Sequence, residues 1–214
     1  AANFRNVNSG LRLCVGKIDQ LAFVAKAENT LKNLEERYGK LDSLMDSLFG
    51  IARYSIAIVI KDLMPEFERQ KINLLPRLVG SDISDSAIAR ASAGKYNRFE
   101  IERGLPKSIL RKYFTPEADH WKVCDELRAM VSFRKQNLLT GLNGLGRFDV
   151  IFCRNVAIYF SVDDRKRLFE NIASALHPEG YLIIGSTESL TGITDRFEPK
   201  RHLRSVYYQL KKPA

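Results

Sequence analysis

"FDVIFCRNVAIYF", residues 148–160, decides how the chain is read. Phe148, Val150, Ile151 and Phe152 are apolar and mostly strand-forming, so the stretch begins as a buried β-strand. Cys153, Arg154 and Asn155 then interrupt it, and apolar residues resume at Val156, Ala157 and Ile158 before Tyr159. A guanidinium directly after four apolar strand residues loses hydration unless a carboxylate or a ligand meets it. The strand therefore predicts a polar site at its carboxyl end. Tyr159 taken alone fits a core position better than a catalytic one.

Outward from this strand, residues 76–214 alternate between strand and helix. "PRLVGSDIS" (76–84) predicts a short strand ending in a polar turn. "DSAIARASAGKY" (85–96) predicts the helix it feeds, with Asp85 as N-cap and Gly94 at its close. "VCDELRAMVSFRKQNLL" (123–139) reads as short strands. "VDDRKRLFENIASALHPEG" (162–180) predicts a helix stopped by Pro178 and Gly180, and "YLIIGSTES" (181–189) the next strand. "FEPKRHLRSVYYQLKK" (197–212) predicts a closing hairpin. Such alternation with continuous apolar strands implies a largely parallel sheet covered on both faces. Ligands bind such sheets at the carboxyl ends of the strands. Asp82, Asn137, Arg154 with Asn155, and Ser186 with Glu188 all fall at those ends.

Residues 1–75 read as a helical region. Leu31, Leu34, Tyr38, Leu41, Leu44, Met45 and Leu48 recur at steps of three and four, the stripe of an amphipathic helix packed in a core or interface. "YSIAIVIKDLMPEF" (54–67) predicts a further helix that ends near Met64, before Pro65.

Composition bounds the function classes. The chain has 214 residues, 45% of them hydrophobic, enough for one cored domain with a small appendage. No run approaches the ~20 apolar residues of a membrane span, and no leader-like segment opens the sequence. The three cysteines (Cys14, Cys124, Cys153) lack metal or CxxC spacing and suit a reduced, cytoplasmic protein with no metal site. A net charge of +9 favours acidic partners.

Each polar strand-end residue has a bland role beside the functional one. Asp82 suits a turn, yet a carboxylate ending the second strand of a nucleotide-binding sheet can accept hydrogen bonds from both ribose hydroxyls. Asn137 can satisfy loop backbone, or donate and accept at once to an adenine edge.

The run "FCRNVAIYF" (152–160), with "GSDIS" at 80–84, "NLL" at 137–139 and "LHPEGYLIIGSTESL" at 176–190, resembles the chemotaxis receptor methyltransferases (CheR). "AIARASAGKY" followed by "RGLPKSILRKYF", and "RFEPKRHLRSVYYQ", extend the resemblance over residues 78–210. It implies a Rossmann-like class I methyltransferase sheet over 76–214, with helices on both faces and N-terminal helices ahead of it. A small antiparallel β-subdomain, associated with receptor docking, would lie at 113–135. It implies S-adenosylmethionine as cofactor, S-adenosylhomocysteine as product, and glutamate side chains on the cytoplasmic helices of methyl-accepting chemoreceptors as acceptors. Within it Asp82 corresponds to the ribose-binding acid, Ile83 to an adenine contact, and Asn137 and Leu138 to adenine-side contacts. Arg154 and Asn155 fall beside the methionine portion, with Tyr159 close to the methyl group. The expected protein is a monomer, with no nucleic-acid partner and no membrane insertion.

The chemistry suits these residue types. A sulfonium is already activated, and a glutamate acceptor with a reference pKa near ~4.3 is ionised at neutral pH. No strong base is required. In-line placement alone supplies on the order of 7–11 kcal/mol of a barrier. Arg154 can hold the acceptor by paired charge-assisted bonds, orienting rather than activating it.

One block departs from the family. The Cys-Ser/Thr-Gly-Glu-Glu turn expected before "YSIA" (54–57) is replaced by "SLFGIAR" (47–53), with no acid, Arg53 just before Tyr54, and no strand leading in. Either the turn is altered and cofactor binding weakened, or the chain joins segments across missing residues, which the intact downstream blocks favour. The competing functions are a non-catalytic methyltransferase-like module that binds receptors or a signalling partner, and a nucleic-acid methyltransferase. Against the latter, no Asn/Asp-Pro-Pro-Tyr/Phe sequence is present. An oxidoreductase is disfavoured by the lack of a GxGxxG after a first strand.

Overall fold

A computed structural model describes residues 3–4, 10–14, 51–69, 77–98, 101, 105–142, 144–185, 187–202 and 205–211. The elements in chain order are β1 (Asn3–Phe4), β2 (Gly10–Cys14), α1 (Ile51–Arg69), β3 (Arg77–Asp82), α2 (Asp85–Ala93) and β4 (Lys95–Asn97). There follow α3 (Lys107–Tyr113), β5 (Phe114–Glu117), β6 (His120–Val123), α4 (Asp125–Met130), β7 (Val131–Lys135) and β8 (Phe148–Cys153). The chain closes with α5 (Val162–Ala175), β9 (Leu176–Ile184), β10 (Phe197–His202) and β11 (Ser205–Leu210).

The main sheet has the order β10-β11-β9-β8-β2-β3-β7, with β1 paired to β2. β3 runs parallel to β7, and β8 parallel to β9. Alternation along β8 sends Val150 and Phe152 to one face and Ile151 and Cys153 to the other. On the first face lies an apolar cluster with Tyr54, Ile56, Ala57 and Ile60 of α1 and Leu127 of α4. On the second, Leu168, Phe169 and Ile172 of α5 form its counterpart with Val79 and Leu182. The expected Rossmann-like sheet with helices on both faces is present.

The sheet is nonetheless mixed rather than largely parallel. β2 occupies its centre and runs antiparallel to both neighbours, with Leu11 opposite Leu78 on one side and Val150 on the other. Helix was expected across residues 1–75, and 10–14 are instead strand. "GLRLC" is short and alternates, so a vacant central slot with unpaired neighbours captures it as strand. The stripe from Leu31 to Leu48 lies outside the described residues.

Other local expectations shift for identifiable reasons. α1 continues through Pro65 to Arg69. Pro65 is exposed, so water can take the Lys61 carbonyl that the absent N–H leaves. Ser84, not Asp85, caps α2 by accepting from the Ala87 N–H, while Gly94 closes it in the left-handed region at φ 64°. α5 ends at Ala175, ahead of Pro178, and β9 starts at once. Between the pairs Phe148–Leu176 and Val150–Tyr181 the strand β9 bulges, carrying 177–180 outward. A side chain on Gly180 would meet the Phe148 and Asp149 carbonyls at 3.0 Å.

The region 113–135, expected as one β-subdomain, divides. β4, β6 and β5 form a small antiparallel sheet from residues 95–97 and 114–123. Residues 125–130 are helical, with Asp125 and Glu126 in the first turn, Arg128 in the last and Leu127 fully buried. β7 then joins the main sheet. The buried Asp62 of α1 accepts from both Lys112 and the Tyr113 hydroxyl of α3, tying the small sheet's lead-in helix to the main body.

Candidate functional site

Strand register places the polar strand ends. Leu78 and Val150 both stand opposite Leu11 of β2. Four residues further along each parallel-running strand come Asp82 and Arg154, so the two are level at one edge, two strands apart. At the usual strand spacing their separation is about 10 Å. β7 ends beside Asp82, with Lys135 its register partner, and delivers Asn137 two residues on. β9 ends beside Cys153, with Ile184 its partner, and delivers Gly185 and Glu188. The sheet edge thus gathers these groups from four strands.

Within this row the residues differ in how much of each is already engaged. Asp82 is half-buried, and its Oδ1 accepts from the Ser84 N–H at 2.8 Å, so it serves the turn as well as facing the edge. Ile83 is 63% exposed, an unusual setting for isoleucine and one that offers an apolar surface beside the acid. Asn137 is exposed and caps a short 3₁₀ turn, its Oδ1 accepting from the Leu139 N–H at 2.9 Å. The Leu138 side chain is buried in the second core cluster, and its carbonyl accepts from the Asn171 amide. Leu138 therefore backs the edge from the core and presents no free side chain to it. Arg154 is half-buried at the first position beyond β8. Asn155 is exposed and held in the left-handed region at φ 54°, which asparagine tolerates better than most residues. Tyr159 is 81% exposed on the 3₁₀ turn 157–159, contrary to the core position its sequence context favoured, with Ile158 also exposed.

Two residues form part of the edge that strand-end polarity pointed to without giving them a task. Oε2 of Glu188 accepts from the backbone N–H of Asn155 at 2.9 Å and of Gly185 at 2.7 Å. A Cβ on Gly185 would fall 2.6 Å from Asn155 Oδ1 and 2.7 Å from Glu188 Oε2, so a side chain there would have to displace both groups. The signal was "GSTES": a glycine directly after an apolar strand, with a carboxylate three residues on.

At the methionine side, residues 47–50 of the departing "SLFGIAR" stretch lie outside the described residues. The first turn of α1 contains no acid. β2, central in the sheet, runs away from this edge, with Gly10 at its start opposite Val79.

Cys153 carries no nucleophilic role. Burial pushes its thiol up to about 12, with the negative Glu188 adding to the effect. The folded state thus favours the neutral thiol, whereas an unfolded thiol titrates near ~8.5. This contribution to stability is complete below that unfolded value and is lost as pH rises through it towards about 12. Tyr54 and Tyr113 are also pushed up to about 12, chiefly by burial, but they begin to count only above the ordinary tyrosine range. Melting temperature should therefore fall from pH 8 to 9.5 in the wild type and fall less in Cys153→Ala; equal slopes would remove the assignment.

Residues 49–205 match the family described as CheR methyltransferase, SAM binding domain. A chemotaxis protein methyltransferase of Vibrio parahaemolyticus is 41% identical over 76% of this chain and 58% of its own length. Chemotaxis protein methyltransferase 1 of Vibrio cholerae is 40% identical over the same shares. The chain thus spans 58% of the length of these curated relatives. Among solved structures, a TehB-like SAM-dependent methyltransferase of Corynebacterium glutamicum aligns at 13% identity and a TM-score of 0.40, covering 63% of this chain and 68% of that one, too distant to add to the fold described above.

Proposed function

The chain belongs to the CheR methyltransferase family, and from that membership we propose that it binds S-adenosylmethionine along the carboxyl edge of the main sheet and methylates glutamate side chains of bacterial chemoreceptors, leaving S-adenosylhomocysteine. The observation that carries this reading is the level placement of Asp82 and Arg154 on one sheet edge, with exposed Ile83 beside the first and Asn155 beside the second.

The edge fits the adenosine end of such a molecule. Asp82 would accept from the ribose hydroxyls, Ile83 would pack on the adenine, and Asn137 would bond its edge while Leu138 supports the wall from the core. At the methionine end the fit rests on Arg154 and Asn155, because the first turn of α1 carries no acid. The bound cofactor supplies a methyl group already activated on sulfonium, and an ionised acceptor needs no proton removed. Arg154 orients the acceptor carboxylate through paired N–H donors. Exposed Tyr159 borders the incoming side chain. Cys153, kept as a buried thiol, does not compete for the methyl group.

The partners would be the acidic cytoplasmic helices of methyl-accepting receptors, met by a chain of net charge +9. No helix among the described residues is long and apolar enough to cross a membrane. A cytoplasmic monomer with no nucleic-acid partner and no membrane insertion completes the proposal.

Two observations favour a second reading, a methyltransferase-derived module that binds receptors without turnover. The reversed central strand and the altered turn before Tyr54 remove two supports from the methionine end. Calorimetric titration with S-adenosylhomocysteine, followed by transfer of labelled methyl to a receptor cytoplasmic fragment, decides between them. Micromolar binding and base-labile label on the receptor are expected. A folded sample that binds no S-adenosylhomocysteine would overturn catalysis and leave the module.

A further inference from the structure

We propose that Glu188 is a positioning residue: its carboxylate clasps the ends of β8 and β9 together and through that clasp sets Arg154 and Asn155 in place. The inference deepens the site reading above and rests on it for the catalytic consequence, though not for the clasp itself.

Four observations support it. One oxygen, Oε2, accepts from two backbone donors on different strands, Asn155 N–H and Gly185 N–H. The Glu188 N–H in turn donates to the Gly185 carbonyl at 3.0 Å, so the loop that carries the carboxylate is closed on the same glycine. Asn155 sits at φ 54°, a conformation that costs a non-glycine residue free energy and persists only where surrounding bonds determine it. The Glu188 bond to its N–H is such a constraint. Finally, a Cβ on Gly185 would displace Asn155 Oδ1 and Glu188 Oε2 from where they sit.

The other carboxylate oxygen, Oε1, is buried and meets no hydrogen-bond donor among the described residues. A half-buried carboxylate with one oxygen doubly used and the other unmatched is a poor device for stability alone, because partial desolvation of the charge offsets part of what the two bonds contribute. What it achieves is geometry. The parallel strands β8 and β9 end at Cys153 and Ile184, and beyond those residues no ladder bond holds them. Glu188 extends the pairing by one carboxylate bridge, where Arg154 and Asn155 must hold their places. A glutamine can supply the same acceptor oxygen; an alanine cannot.

The test uses ¹⁵N-labelled full chain. In the wild type, the Asn155 amide should exchange with solvent at least tenfold more slowly than an unbonded loop amide, although its side chain is exposed. In Glu188→Gln that protection should persist and methyl transfer should stay within about threefold. In Glu188→Ala the Asn155 and Gly185 amide signals and the Arg154 Nε–H signal should all move, with transfer falling tenfold or more and rescue by the glutamine variant distinguishing placement from charge. Unprotected Asn155 in the wild type overturns the clasp without any variant, even if Glu188→Ala fails to fold. Unmoved Arg154 and Asn155 signals in a folded Glu188→Ala overturn it as well, and full activity of that variant overturns the positioning role. A wild type that transfers no methyl group defeats the function proposed above, while exchange and the signals still decide the clasp.

Discussion

Arg154→Ala is expected to lower kcat/KM for receptor methylation by about 10²- to 10⁴-fold while the protein stays folded. The estimate follows from two charge-assisted hydrogen bonds to the acceptor, about 1.5–3 kcal/mol each, at 1.36 kcal/mol per tenfold in rate. Arg154 lies at the first residue past β8, after the buried Cys153, so its backbone is anchored by the strand at the edge where a carboxylate would arrive. Arg154→Lys keeps the charge but loses the planar fork, and should recover only part of the rate. Because the role is orientation of the acceptor, affinity for S-adenosylhomocysteine should change much less than turnover. Steady-state kinetics beside calorimetry on the same samples separates the two. Turnover within threefold of the wild type would remove Arg154 from the reaction.

Asp82 should govern cofactor affinity instead. Loss of two hydrogen bonds from ribose hydroxyls to a charged acceptor corresponds to roughly 10²-fold weaker binding or more. Interpretation is complicated by the second task of this residue, since its Oδ1 also accepts the Ser84 N–H that shapes the entry to α2. Asp82→Ala removes both functions. Asp82→Asn keeps an oxygen for Ser84 and removes the charge, so it should retain the wild-type melting temperature and still bind S-adenosylhomocysteine at least tenfold more weakly. An asparagine variant that binds like the wild type would show that Asp82 serves the turn alone.

Much of the edge was legible because its signals are local. A run of apolar β-formers followed by Arg154 and Asn155 states both a strand and its polar end, and "GSDIS" does so again at Asp82. Gly94 ended its helix as its position implied. The failures are equally specific. Asp125–Met130 carries the alternation-poor pattern of a short helix, but one buried leucine gives too little periodicity to separate it from strand. That the Leu138 side chain packs in the core was not legible either, since whether an apolar residue after a strand points inward depends on a 3₁₀ turn that Asn137 caps. Glu188 was visible as a polar residue at a strand end, while its clasp depends on a partner 33 residues away in the chain.

The sequence by itself determined the strand–helix alternation, the polar strand ends and the family, because each rests on residues adjacent along the chain or on blocks in fixed order. Tertiary structure alone decided the direction of the central strand. "GLRLC" satisfies the same ladder bonds whichever way it runs, and only the pairing of Leu11 with both Leu78 and Val150 turns it antiparallel. That same pairing sets Asp82 and Arg154 level on one edge, a relation between residues 72 positions apart (154 minus 82) that no local pattern encodes.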